Sequence, residues 1–433
     1  MAKTTKKKMG NTVLLYVLCA LVVIGIVAII YTNFLQRNDM FADSYFMNVT
    51  SALLDKKPAN ITAEDLASIK YLALNYPASD ENGNQILTAQ VGYDDAIKAL
   101  KDPNTESKTQ MVALGEYLSD FSDLKYFTGL QALVIVGTDI ENLEFAKECT
   151  NLEYISVASE KLTDVSTLAS MPNLIEAGLS DCALTDVSAL AGCKELTGLF
   201  VDGNKLTDLS ALSSLTKLEN IDVSDNAELS DISFLANMTS VKTLSFDNTK
   251  VTDISPVKEL VNLEQLSFTN CGVEDISALE KCTKITTLAA SKNKISDVSA
   301  LAGMKEMQNL DLGSNAISDI SALSAMTKLY ICNLDSNKIQ DVSALKDAKD
   351  IYSLNLLGNG VIKDTSPIQS LIDGSKAETP KNYVWMDTAD TSTESTDKTE
   401  DKDTAADETK DETKDETKDT ATSTEESNET TEE

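Results

Sequence analysis

Aspartate recurs on a fixed beat at 164, 186, 208, 231, 253, 275, 297, 319, 341 and 364, each step being twenty-two or twenty-three residues. Near-identical pentapeptides open on it: DVSAL at 186, 297 and 341, DISAL at 275 and 319, DLSAL at 208. Carboxylates repeated this way could hold a ladder of cations, since a stacked row repels itself unless neutralised. They could equally accept hydrogen bonds from exposed N–H groups at the start of a turn, helped by the serine two residues on. Capping is the favoured reading, because turn and helix starts select Asp and Ser without any ligand.

Four or five residues before the aspartate stands Asn204, Asn226, Asn293, Asn315, Asn337 or Asn359, with Thr138, Cys182, Thr249 and Cys271 in the same place elsewhere. A buried amide is costly unless bonded, so this column is expected to point inward and satisfy the backbone of adjacent turns. Of the seven cysteines, Cys19 lies in an apolar N-terminal run and the other six fall at repeat-interior positions, where they read as small apolar fillers. Cys149 and Cys193 are two coils apart, about 10 Å at the usual strand spacing, which is beyond bridging reach, and no disulfide is expected.

Catalytic chemistry finds little to work with. The chain has no histidine and no C-x-x-C, so no metal site and no cofactor are expected. Neither a G-x-x-x-x-G-K-[ST] loop nor a G-x-S-x-G elbow occurs, no catalytic residues are assigned, and the chain does not read as an enzyme. A net charge of −32 disfavours nucleic acid.

The elements that carry these columns follow from the period. The best copies, LTGLFVDGNKLTDLSALSSLTKL from Leu196 and MQNLDLGSNAISDISALSAMTKL from Met307, fit L-x-x-L-x-L-x-x-N-x-I-x-D-[IVL]-S-x-L-x-x-[LMC]-x-x-L, a leucine-rich repeat. L-x-L puts two apolar side chains on one face of a short strand. The later L-x-x-L-x-x-L suits a tight 3₁₀ return. One such unit cannot bury its apolar face alone, so about eleven or twelve coils are expected to stack over residues 120–370 into an α/β repeat solenoid, with a parallel sheet on the order of 50 Å long.

This unit resembles the leucine-rich repeat of bacterial internalins and of the related protein-phosphatase regulatory subunit type. The resemblance covers roughly residues 120–370. It implies a shallow curve, 3₁₀ returns on the convex side and ligand contact on the concave sheet. Two features depart from it: no L-P-x-T-G signal stands at the carboxyl end, and no immunoglobulin-like domain follows the repeats.

The flanks carry their own expectations. Residues 1–11 are basic, and residues 12–31 form a twenty-residue run without a charge, long enough for a membrane helix of roughly 20 residues and longer than a cleaved signal core. A single-pass signal anchor is expected, with a cytoplasmic N-terminus, an extracellular repeat domain and residence in the cell membrane. That anchor argues against an intracellular phosphatase-regulator role. Residues 32–119 break the beat and read as an N-terminal cap: a helix start with Thr62 as its cap runs into the strand-like IKYLALNY, a possible first degenerate repeat, and a second helix follows near DDAIKALK. Residues 371–386, with the only tryptophan in NYVWM, read as the C-terminal cap. Residues 387–433 contain nineteen carboxylates, five lysines and no Leu, Ile, Val or aromatic residue. They read as a disordered acidic tail, a solvated spacer or else a cation- or partner-binding arm.

Period two then selects the side chains of the ligand face. They are Tyr154, Glu176, Phe200, Asp202, Asp222, Asp247, Gln265, Asn309, Asp311, Asn333, Asp335 and Asn355. The face is small, polar and acidic, and the alternative is a merely solvated sheet. Tyr154 and Phe200 are the aromatic anchors on it, and a hot spot is expected around them, with Asp202 and Asp222 setting charge preference. The expected partner is a protein, basic or cation-bridged, held non-covalently; no small-molecule substrate is expected. Surface adhesin or recognition protein and scaffold for a partner of the same cell both remain open.

Overall fold

The computed structural model describes residues 40–388, apart from 81, 103, 138, 378 and 379. Among these residues one sheet contains fifteen strands. From β4 (Ala132–Val136) to β15 (Tyr383–Met386) every strand pairs in parallel with its neighbour in the chain, and 3₁₀ turns such as Ser188–Gly192 and Ser299–Gly303 return the chain between them.

Each coil is built as its alternation demands. In β7 (Gly198–Phe200), Leu199 is buried while Phe200 looks out, and Val201 and Leu206 follow into the core. The strands are short because the backbone turns a left-handed corner two or three residues past them: φ is positive at Asp181, Asp225, Asn248, Asn270, Lys292, Ser314 and Ser336, and at Gly203 and Gly358. At Gly203 an added Cβ would also meet the Asp181 carboxylate at 2.5 Å, which is why glycine serves this coil best.

The residue after each corner is the one in the asparagine column, and it ties its own coil to the preceding one. Asn226 is fully buried; its Nδ2 donates to the carbonyls of Val201 (3.0 Å), Val223 (3.0 Å) and Ser224 (3.2 Å), and its Oδ1 accepts from the Leu206 N–H at 2.9 Å. Asn204, Asn293, Asn315 and Asn337 repeat the pattern. Where cysteine replaces asparagine, the Cys182 thiol donates to the Val157 carbonyl at 3.5 Å and the Cys271 thiol to that of Phe246 at 3.2 Å. The six described cysteines are free and buried. Burial pushes their thiols up, to about 12 at Cys149 and Cys332 and about 11 at Cys193 and Cys282, so they are not nucleophiles at neutral pH.

The recurring aspartates cap the returns. Asp164, Asp186, Asp208, Asp231, Asp253, Asp275, Asp297, Asp319, Asp341 and Asp364 each accept through Oδ1 from the N–H of the serine two residues on, at 2.7 to 2.9 Å. Asn142 does the same for Glu144 at 3.1 Å. An uncharged amide fills the place, so an oxygen acceptor is what the turn needs.

At the N-terminal end, α1 (Ser44–Leu54) buries Phe46, Met47, Val49 and Leu53. Buried Asp123 fastens its start by accepting from the N–H groups of Ala42 and Asp43. Helix α2 (Ala63–Ser68) begins in a capping box made by Thr62 and Asp65. The IKYLALNY segment enters β1 (Tyr71–Ser79), in parallel register with β4 from Tyr71 opposite Ala132. β2 (Gln85–Gly92) then adds antiparallel to β1, and β3 (Gln110–Leu114) antiparallel to β2, with α3 (Asp94–Lys101) between β2 and β3 in the chain. Neither α1 nor the β2–β3 pair was expected from the sequence, because neither follows the repeat pattern. At the other end α4 (Gln369–Ser375) precedes β15, which pairs in parallel with β14 (Ser353–Leu356).

The cell-membrane localisation expected above has to be corrected. Among the described residues no helix is long and apolar enough to cross a membrane; the longest, α1, has 11 residues, about half of what a span needs. Residues 12–31, on which that expectation rested, lie outside the described residues, as do 1–11, Thr138 and the tail from 389.

Replacing Asn226 with alanine takes the partner from the Leu206 N–H and the Val223 carbonyl, while the Val201 carbonyl keeps Asn204 and the Ser224 carbonyl keeps the Gly203 N–H; a buried group left unsatisfied costs roughly 1–3 kcal/mol. Asn226→Ala is expected to destabilise the solenoid by on the order of 3 kcal/mol, read as a lowered urea midpoint. A midpoint within error of the parent would show that the column does not hold the coils together.

Candidate ligand-binding face

The outward positions of the strands make one continuous surface. Register places Tyr154 beside Glu176, Phe200 beside Asp222, and Asp311, Asn333 and Asn355 on three successive rungs. All twelve side chains singled out in the sequence are half-buried or exposed on this side. They do not converge: Tyr154 on β5 (Tyr154–Ala158) and Asn355 on β14 are nine strands apart, about 45 Å. They line an extended face, not a pocket.

Its carboxylates are held in place by their neighbours. Asp202 accepts from the Ser180 hydroxyl at 2.6 Å, and Asp222 from its own Ser224 N–H at 3.0 Å. Asp247 accepts from the Ser267 hydroxyl at 2.7 Å and from the Thr269 N–H. Asp311 takes the Asn333 amide at 2.8 Å and the Gly313 N–H at 3.0 Å, both on Oδ1. Asp335 accepts from the Ser336 hydroxyl at 2.9 Å. These bonds fix the acids at the surface without neutralising them.

Partial burial raises the pKa of Glu176 above the ordinary 4.5. Asp202 is likewise raised above 3.8, by burial and by the neighbouring Asp222 and Asp181 charges, against the pull of Ser180. Lysines stand on the flank instead, paired from coil to coil with glutamates, as in Lys217–Glu195 (2.5 Å), Lys242–Glu219 (2.6 Å) and Lys281–Glu259 (2.9 Å). Exposed pairs of this kind contribute about 0–1 kcal/mol each. Among the described residues no group of three Cys, Asp or Glu side chains is arranged to hold a metal ion.

The aromatic anchors are distributed differently from the sequence expectation. Phe200 is only partly exposed: its Cε2 lies 3.3 Å from where a Cβ on Gly198 would be, so the ring rests against the glycine of its own strand. Tyr154 lies near the Lys101–Glu153 ion pair (2.5 Å), which brings α3 alongside it. Exposed rings stand at both ends of the sheet: Tyr76, Tyr93 and Tyr117 in the N-terminal cap, and Tyr330 (50 %), Tyr352 (40 %), Tyr383 (42 %) and Trp385 (45 %) at the C-terminal end, where these four form one connected cluster. Tyr330 stacks on Tyr352 at 5.2 Å, Tyr352 meets Tyr383 edge-on at 5.4 Å, and Tyr383 stacks on Trp385 at 5.9 Å. Tyr330 and Tyr352 sit one residue before their strands, outside the alternating positions used to select the face. Tyr383 and Trp385 belong to a strand beyond the last aspartate-marked repeat. The alternation of Tyr383 and Trp385 with the core-facing Val384 and Met386 was the available signal.

The comparisons agree with this architecture. The leucine-rich repeat family, in its two-copy form, matches residues 194–237 and 239–281. No curated protein matches the chain. An internalin (InlF) from Listeria monocytogenes is similar at 26 % identity and a TM-score of 0.50, over 68 % of this chain and 94 % of that one. The functional domain of InlJ from the same organism, described as including a cysteine ladder, is similar in fold at 19 % identity and a TM-score of 0.58, over 77 % of this chain and 64 % of that one. The repeats are of the leucine-rich kind and the solenoid is internalin-like.

A carboxylate whose folded pKa is raised opposes folding once ionised; the stability it withholds is present below the unfolded value and lost as pH rises through the folded one. Asp202→Asn keeps an acceptor for Ser180 and removes the charge. The variant is expected to melt at or above the parent temperature at pH 7.5, with the gap closing as pH falls towards the ordinary 3.8. A variant less stable at pH 7.5 would contradict this assignment.

Proposed function

From a leucine-rich repeat solenoid similar to the internalins, we propose that this chain is a non-enzymatic recognition protein that holds a basic protein ligand on its sheet face, in the manner of an adhesin. One observation carries the reading. The outward strand positions present Glu176, Asp202, Asp222, Asp247, Asp311 and Asp335, and no lysine or arginine, while the flank pairs its lysines with glutamates. A face of one charge sign on short, tightly paired strands steers an oppositely charged partner and offers it side chains already fixed in place.

The acids set attraction and orientation, and affinity rests on what is buried between them. The raised pKa values of Glu176 and Asp202 mean that these two groups lose charge at a higher pH than an ordinary glutamate or aspartate. Association should therefore weaken in mild acid, and it should weaken with salt.

A photo-crosslinking amino acid at Phe200, with a control at exposed Ser213 in the return Ser210–Ser214, tests the reading in cells making the full chain. A distinct protein captured from Phe200 and not from Ser213 is the expected result, and its origin, foreign or from the same cell, decides between adhesin and scaffold. Equal labelling from both positions, or none from Phe200, would count against a ligand on the sheet face.

A further inference from the structure

Resting on that reading, we propose that the last four strands of the sheet form a subsite for an extended peptide segment with two arginines at positions i and i+4, lying across the strands. The site runs from β12 (Asn309–Asp311) through β13 (Ile331–Asn333) and β14 to β15. Register puts Asp311, Asn333, Asn355 and Trp385 on four successive rungs of one row.

The two ends of this row suit the same cation by different chemistry. At one end Asp311 uses Oδ1 for both its hydrogen bonds, to Asn333 and Gly313, which leaves Oδ2 to a ligand. At the other end the Trp385 ring is 45 % exposed on the outermost strand of the sheet, and its stacking on Tyr383 holds it in place. A planar guanidinium can pair with a carboxylate and also stack on an indole face, which an ammonium does less well. Between the ends, Asn333 and Asn355 offer amides to the peptide backbone. The outward positions of these four strands include Asp335 and Asp387 as well, and no lysine or arginine. Charge complementarity therefore selects a cationic segment over an acidic or a neutral one.

The row also sets the spacing. Three strand intervals of about 4.8 Å separate Asp311 from Trp385 by about 14 Å, and an extended chain covers that distance in about four residues. Residues i and i+4 of such a segment point to the same side, whereas i and i+3 point to opposite sides. Arginine pairs at i and i+4 thus reach both ends together.

Trp385 is the only tryptophan of the chain, so its fluorescence reports on the subsite directly. The probes are twelve-residue glycine–serine peptides carrying two arginines at i and i+4, the i and i+3 isomer, and the i and i+4 peptide with citrulline in place of arginine. The full-length chain is expected to show a saturable change in Trp385 emission with the first peptide and at least fivefold weaker binding of the other two. By anisotropy of the labelled i and i+4 peptide, Asp311→Asn, which keeps an acceptor for Asn333, and Trp385→Ala should each lose at least fivefold. Trp385→Phe, which keeps a ring, should stay closer to the parent. Equal binding of the arginine and citrulline peptides, no preference for i and i+4, an unaffected Asp311→Asn, or a response of Trp385 only to a neutral oligosaccharide would overturn the proposal. Capture from Phe200 together with a silent Trp385 would refute this subsite alone and leave the sheet face as a protein-binding surface.

Discussion

A buried amide with four bonds to make sets the rise of this molecule. Each asparagine of the inner column reaches the carbonyl of the preceding coil, the carbonyls at its own corner and an N–H of the preceding return, so neither coil can shift without stranding polar groups in an apolar interior. Asn226, with no exposure at all, shows the constraint at full strength. The left-handed corner just before it follows from the same demand, since the chain must leave the strand sharply enough to turn the amide inward. Non-glycine residues such as Lys292 and Ser336 accept that corner conformation, and the bonds of the adjacent asparagine outweigh its steric cost.

Once the rise is set, side chains of one template position stack on one another, and chemistry segregates by side. The aspartates of the returns become a column of caps, and the flanks become a ladder of lysine–glutamate pairs. The sheet face collects carboxylates with no cation among them. None of this requires a pocket. A repeat protein recognises by the arrangement of a surface, and here the arrangement is held by hydrogen bonds between neighbouring strands, as between Asp311 and Asn333.

The same stacking places the aromatic groups. Phe200 reads as a free anchor in the chain, yet it lies against Gly198, whose missing side chain makes room for it. Tyr330 and Tyr352, one residue outside the alternating strand positions, stack on each other and lead to Tyr383 and Trp385. Exposed aromatic area, the usual source of binding energy at an interface, therefore gathers into one stacked cluster at the carboxyl end of the sheet, with Tyr76, Tyr93 and Tyr117 exposed separately in the N-terminal cap.

The period, the strand and return within each unit, the inward asparagines, the capping aspartates and the acidic character of the sheet face were all determined by the sequence alone. Each is a local rule repeated at 22 or 23 residues, and repetition makes a local rule visible. Helix α1 and the β2–β3 pair were decided only by tertiary structure, because they cover an open end of the solenoid and owe their form to the surface they meet. Which carboxylates keep an oxygen free, which ring lies down and which stands out also escaped the sequence. Those properties belong to contacts between residues about 22 positions apart, or between the last repeat and a strand beyond it, and a single template carries no record of them.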